Sequence, residues 1–329
     1  MNRRGLLLAS AAMLLANALP LRAQRAGRAY RVGFVISGGP ENEDTRRLLH
    51  AFMEGMKEHG YQDGRNFVLA MRHYGSDRAI IPALADELIA WQPDALVVNI
   101  SSVAAIVQKK TATIPIVMAT SLDPVGEGLV ASLARPGGNL TGITSLGQAM
   151  DAKLVELVRE LLPGAKRFAL LVNPGQALSK SREAAAAQAA KALALEMVTL
   201  QVSGTSDMER FAERLSKTRA DALVISTDAV LFALRHTIVQ AALEARVPSV
   251  ALLPEFAASG AVASYGYDLA AGYRGAARYV HRILKGAKPG DLPIEQPTQF
   301  ELVLNLKTAK ALGIRVPQPV LLRADKVIE

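Results

Sequence analysis

Cysteine is absent from all 329 residues. Disulfides, thiolate metal sites and a cysteine nucleophile are therefore excluded. So is a lipid-modified N-terminal cysteine, the tether of many exported binding proteins. No stretch reaches the ~20 apolar residues that span a bilayer. The nucleophile-elbow pattern GxSxG, a GxGxxG after the first strand, and the phosphate loop GxxxxGK[ST] are all missing. His50, His59, His73, His236 and His281 show no metal-ligand spacing and read as surface or helix-flank residues. No Lys/Arg-rich run carries interleaved aromatics, so nucleic-acid binding has no support. The reading is of a protein that is not an enzyme, with no catalytic residue, no metal and no cofactor.

The N-terminus has the order of an export signal. Arg3 and Arg4 are followed by an apolar region from Gly5 to Leu19, then Pro20, then Ala23 as the small residue before cleavage. Residues 1–23 are read as a signal peptide and Gln24 as the start of the mature chain. The run Asn2-Arg3-Arg4-Gly5-Leu6-Leu7 resembles a twin-arginine signal. Paired basic residues also open ordinary Sec signals, so both export routes stay open. The apolar region is short for an uncleaved anchor. The net charge of +8 falls to +5 when Arg3, Arg4 and Arg22 leave with no acid. The expected location is the periplasm.

The remaining chain repeats one unit. Arg31 to Gly38 is a buried-strand run ending in turn residues, and Arg167 to Pro174 has the same shape. Asp94 to Asn99 is echoed by Asp221 to Ser226, and Ile114 to Ala119 by Val247 to Leu252. These runs lack polar alternation, as parallel strands covered on both faces do. Helical spacing links Leu48, Leu49, Phe52 and Met56, and again Ile80, Leu84, Leu88 and Trp91. Further helices are expected over Glu183–Leu195, around Phe211 and Leu215, over Leu231–Ala245 and from Leu269 to Gly286. Alternating strands and helices predict an α/β protein of two doubly wound, Rossmann-like lobes. Residues 30–144 plus 267–295 form lobe 1 and 145–266 plus 296–329 form lobe 2. Three crossing segments make the hinge, with torsion assigned to Thr144, Gly266 and Pro297. Two complete cores suit a monomer that rocks as rigid bodies.

Ligands of open α/β sheets bind beyond the carboxyl ends of the strands. Lobe 1 offers Ser37, Gly38, Gly39, Asn99, Ser101, Ser102, Ser121 and Asp123 there. Lobe 2 offers Asn173, Thr227, Asp228 and Glu255. Gly38 and Gly39 permit close backbone approach. Ser101 or Ser102 either caps an apolar helix starting near Val103 or touches a ligand carboxylate at that helix's N-terminus. Asp123-Pro124 and Asn173-Pro174 are equally common turn pairs. Asp228 also reads as a helix cap, and Glu255 as either an ammonium partner or a solvated helix start. Tyr265, with Tyr267 nearby, adjoins a crossing and either stacks on ligand or serves the hinge.

The run from Asp123-Pro124-Val125-Gly126-Glu127-Gly128-Leu129 to Arg135-Pro136-Gly137-Gly138-Asn139-Leu140-Thr141-Gly142 resembles the signature of ABC-transporter substrate-binding proteins related to tryptophan/tyrosine-binding proteins. Gly60-Tyr61 with Gly64-Arg65-Asn66, Ser264-Tyr265-Gly266, Leu284 to Pro289 and Leu322 to Ile328 are similar too. The likeness covers the chain from about Tyr30 to its end. It implies a type I periplasmic-binding fold and a small-molecule solute that is amino-acid-like, aromatic in some relatives. It implies delivery of that solute to an ABC permease whose ATPase subunits are separate chains. Relatives often carry a Gly-Thr-Pro type turn where this chain has Asn99-Ile100-Ser101-Ser102-Val103. An exported ligand sensor on the same fold is the alternative role.

Overall fold

The computed structural model describes residues 28–75, 77–145, 147–176 and 178–329. The signal peptide expected over residues 1–23 lies outside them.

Continuous apolar runs become buried strands. In chain order the first half forms β1 (Tyr30–Ile36), α1 (Glu43–Glu58), β2 (Phe67–His73), α2 (Ile81–Ala90), β3 (Ala95–Val98), α3 (Ser101–Gln108), β4 (Ile116–Met118) and β5 (Leu140–Gly142). Its strands pair in the order β2-β1-β3-β4-β5, all parallel. Alternate residues of each strand point to opposite faces. Val32, Phe34 and Ile36 thus pack with α1, while Val35, Leu96 and Val98 pack with α2 and α3.

The second half forms α4 (Gly147–Leu161), β6 (Arg167–Val172), α5 (Ser179–Ala192), β7 (Glu196–Gln201), α6 (Phe211–Lys217), β8 (Ala222–Ile225), α7 (Ala229–Ala233), α8 (Arg235–Glu244), β9 (Ser249–Ala251), α9 (Pro254–Ala258) and β10 (Ala263–Gly266). It continues through α10 (Leu269–Leu284), β11 (Glu301–Asn305), α11 (Leu306–Ala311), α12 (Gln318–Leu322) and β12 (Lys326–Ile328). The second sheet has the order β12-β11-β10-β9-β8-β6-β7. The expectation of two doubly wound units holds.

Two helices exchange sheets. α4 follows β5 but packs on α5 and on β8, β9 and β10. α10 follows β10 but packs on α1 and on β3, β4 and β5. The α1–α10 contact is close because Gly55 faces it; a Cβ there would stand 2.8 Å from Ala277 Cβ and 2.9 Å from the Arg274 carbonyl oxygen. Both helices have well-made starts. Asn42 accepts from Thr45 N–H ahead of Glu43 and Asp44, and Asp268 accepts from Ala270 N–H. Such caps satisfy free N–H groups and the acids favour the positive end of the helix dipole.

The chain goes back to the second sheet beside its outward path: Thr144 N–H donates to the Glu295 carbonyl at 2.8 Å, and Glu295 N–H to the Gly142 carbonyl at 3.1 Å. β11 then enters antiparallel to β10, where the alternation of strands and helices had suggested parallel pairing throughout. The reason is the route. β10 leaves its sheet at the end facing the first sheet, and the chain comes back from that side, so β11 runs the opposite way. The helix expected over Leu231–Ala245 is two helices, α7 and α8, meeting at Leu234. The helix expected over Glu183–Leu195 starts at Ser179 and ends before Ala194, whose φ of 52° is left-handed. Among the described residues no helix is long and apolar enough to cross a membrane.

Candidate functional site

The carboxyl ends of the strands bring small polar residues together on each sheet. On the first, Asn99 follows β3 and Ser37 follows β1. Asn99 Nδ2 donates to Ser37 Oγ at 3.0 Å and to the Tyr74 hydroxyl at 3.0 Å. Gly38 has φ +70° and sits under Thr45, with no room for a Cβ, which would stand 2.3 Å from Thr45 Oγ1. A side chain there is excluded by both conformation and space. A Cβ at Gly39 would meet nothing within 4 Å. Ser121, after β4, is buried, and its carbonyl accepts Ser145 N–H and Oγ at 2.6 and 2.9 Å.

The helix after β3 starts two residues earlier than expected, and neither serine caps it. Its N-cap is Ile100, in extended conformation and without a side-chain cap. Ser101 Oγ instead donates to Glu127 Oε1 at 3.0 Å, and Ser102 follows it half-buried on α3. Burial pushes the Glu127 carboxyl up, with the Ser101 hydrogen bond pulling it back. Asp123 makes the turn its Pro124 neighbour suggests, accepting from Gly126 N–H at 2.8 Å.

On the second sheet, Asn173 after β6 donates Nδ2 to Asp228 Oδ1 at 2.9 Å. That oxygen also accepts from Val230 N–H and Leu231 N–H at 2.8 and 3.2 Å, capping α7. Thr227 is held from behind. Arg182, fully buried on α5, donates Nη1 to its carbonyl and clasps Asp151 of α4 through Nε and Nη2 at 2.6 and 2.7 Å. Glu255 opens α9 and is not solvated. Its side chain is 13% exposed, and Oε1 receives Arg47 from α1. Burial pushes this carboxyl up, and Arg47 is among the groups that draw it down.

Several observations set these two groups face to face. Thr120 Oγ1 and the Tyr267 hydroxyl lie 3.4 Å apart. Arg47 and Asp44 of α1 reach Glu255 and Arg235. Burial pushes the Tyr74 phenol up, hydrogen bonds from Asn99 and Ser37 oppose this, and the charge of Asp228 on the other sheet adds to it. Tyr265 stands apart, tilted against the Phe300 ring at 6.1 Å. Its neighbour Tyr267 is the buried aromatic at the junction. Arg47, Arg182, Asp151 and Tyr74 carried no signal in the sequence, since each is an ordinary helix or strand-end residue whose partner is distant along the chain.

Five buried polar atoms have no hydrogen-bond partner among the described residues: Ser121 Oγ, Thr227 Oγ1, Glu255 Oε2, Arg235 Nε and Ser264 Oγ. Each costs about 1–3 kcal/mol while unpaired. Three of them, on Ser121, Thr227 and Glu255, follow the carboxyl ends of β4, β8 and β9. A surface recess of about 390 Å³ by Leu306, Lys310, Ile314 and Leu321 is lined by none of the strand-end residues. Of the strand-end acids, Asp123 makes its turn and Asp228 gives one oxygen to three donors. Glu255 keeps a buried oxygen free. Among the described residues no group of His, Cys, Asp and Glu is arranged to hold a metal.

The profile of the ABC transporter substrate binding protein family matches residues 41–328. A tyrosine-binding protein of Clostridioides difficile (strain R20291) is 29% identical over 281 residues, covering 85% of this chain and 80% of its own length. A conserved domain protein of Vibrio cholerae, 28% identical, has a TM-score of 0.85 over 91% of this chain and 100% of its own. A protein domain from Streptococcus pneumoniae solved with L-Trp, 24% identical, has a TM-score of 0.83 over 92% of this chain and 100% of its own. The architecture is that of type I periplasmic binding proteins.

Proposed function

The chain belongs to the ABC transporter substrate-binding protein family, and from that premise we propose that it is an exported receptor for a small α-amino-acid-like solute, which it delivers to a separate ABC permease. Residues 1–23 act as the export signal and the mature protein works in the periplasm as a monomer without chemistry of its own. The ATPase and the membrane-spanning subunits are other chains. Lobe 1 comprises 30–144 and 267–295, and lobe 2 comprises 145–266 and 296–329. They close on the solute by rotation about Thr144, Gly266 and Pro297.

The observation that carries this reading is the free buried oxygen of Glu255, a carboxylate just past the end of β9, with the Ser121 and Thr227 hydroxyls past β4 and β8 also buried and unpaired. A carboxylate that keeps one acceptor out of water is suited to an ammonium. The uncapped start of α3 leaves the N–H groups of Ser101 and Ser102 suited to the ligand's carboxylate, while the Ser101 hydroxyl stays with Glu127. Ser37, Gly38, Gly39, Asn99, Asn173 and Asp228 complete the walls. The relatives named for tyrosine and crystallised with L-Trp support the same ligand class.

The test is a thermal-shift and calorimetric panel of the twenty amino acids on the mature protein. At least one should stabilise it, by about 2.7 kcal/mol at a hundredfold excess over Kd. Glu255→Gln should weaken that ligand by about 1–3 kcal/mol, the scale of a charged hydrogen bond. The effect on the free protein should be opposite. A folded-state pKa raised by burial means the folded chain binds its proton more tightly than the unfolded chain. Glu255 therefore subtracts stability as pH rises through the range above 4.5. The free Gln variant should be at least as stable as the parent near neutral pH, and ligand affinity of the parent should fall on acidification. Undiminished binding by the Gln variant, or a panel with no stabilising amino acid, removes the proposal.

A further inference from the structure

One face of α1 carries two charges of opposite sign, and both end on helices of the second sheet. Asp44 Oδ2 accepts from Arg235 Nη2 of α8 at 2.6 Å, with side chains 18% and 13% exposed. Arg47 donates Nη2 to Glu255 Oε1 of α9, and Nη1 to Asp268 Oδ1 at 3.2 Å. Asp44 and Arg47 are three residues apart and so share a face of the helix. The Arg235 guanidinium is seated 4.6 Å over the Phe232 ring, which meets Phe256 edge-on at 6.2 Å. Minus and plus on α1 thus meet plus and minus on α8 and α9. A slipped docking would set like charge against like.

Apolar residues of both sheets and of the crossing segments belong to one buried cluster, and the ion pairs of α1 add to that contact. Ser121 Oγ, Thr227 Oγ1 and Glu255 Oε2 are buried and unpaired, a cost that a ligand able to satisfy them would relieve. The ion pairs of Asp44 and Arg47 act across the junction against that cost. We propose that Asp44 and Arg47 form an electrostatic latch that closes the cleft without ligand, giving the free receptor a salt-dependent closed population. The inference rests on the two-lobe reading above. A ligand then needs only a modest preference for the closed state to complete the shift. The latch is partly exposed at Arg47, so dissolved salt screens it.

The absence of cysteine permits clean double labelling. Ala83 on α2 and Ala187 on α5 are exposed, and Ala83→Cys with Ala187→Cys places one spin label on each lobe. Pulsed dipolar spectroscopy of the ligand-free mature protein should give a compact distance at about 20 mM salt and a longer one at about 1 M, following the screening length. Asp44→Asn with Arg47→Gln should lower the closed-to-open ratio roughly fivefold at low salt, the scale of partly exposed ion pairs. The swap Asp44→Arg with Arg235→Asp should restore the compact distance. Adding each of the twenty amino acids separates two failures. If an amino acid shortens the distance while salt and the neutral variant change nothing, the lobes move and the latch is wrong. If no condition moves the distance, the two-lobe motion is wrong and the latch falls with it.

Discussion

Gly266→Ala should destabilise the protein by about 3 kcal/mol, the upper range for forced overpacking. A Cβ at this position would stand 2.0 Å from the carbonyl oxygen of Leu252 and 2.8 Å from its carbon. Both atoms are backbone, so no rotamer change relieves the contact. Either β10 separates from β9 or the Leu252-Leu253 segment shifts. That segment leads directly into Pro254 and Glu255, so a protein that survives the change should also bind its solute less well. Gly39→Ala is the matched control, because its Cβ meets nothing within 4 Å and its stability should stay within about 0.5 kcal/mol of the parent. Denaturant unfolding of both variants decides the matter. A Gly266→Ala protein as stable as the Gly39→Ala protein would show that the two strand ends tolerate separation.

This glycine also shows how far sequence reasoning reached. Its backbone freedom suggested a hinge; that the position also has no space for a side chain could be read only from the structure. Strands β1, β3, β4, β6, β8 and β9 were readable because a strand buried on both faces needs an unbroken apolar run. β2 and β7 were not, because they are edge strands: β2 buries only Phe67 and β7 only Leu200, and their polar residues break the run. Strand-end positions were readable from small polar residues at the close of each apolar run, which placed Asn99, Ser121, Thr227 and Glu255. What each one does there was not. Ser101 looked like a cap, but extended Ile100 takes the cap position and Ser101 turns to Glu127. Which acid keeps an oxygen free depends on donors such as Asn173 for Asp228 and Arg47 for Glu255, which come from elements far away in sequence.

Arg182→Met should cost about 3–5 kcal/mol, the usual loss when one member of a buried pair is removed. Asp151 and Arg182 are each 1% exposed. Removing the guanidinium leaves the carboxylate without its bidentate partner and without water. The double change Asp151→Leu with Arg182→Met should recover most of that loss, because it removes both desolvated charges and refills the space with apolar volume. If stability were the whole purpose of the pair, the double variant would also bind normally. The position of Arg182 argues otherwise. Its third arm fixes the Thr227 carbonyl, and Gln176 Oε1 lies 3.4 Å from the same Nη1. The pair therefore ties α4, α5 and the loop after β6 to the strand end that presents the unpaired Thr227 hydroxyl. Met offers no donor to that carbonyl. The double variant should fold with a stability near that of the parent and bind the amino acid found in the panel at least about tenfold more weakly, roughly 1.4 kcal/mol. Urea titration and calorimetry on the same samples separate the two effects. Parent-like affinity in a stable double variant would reduce the pair to a packing element, since Thr227 would then hold its place without the arginine.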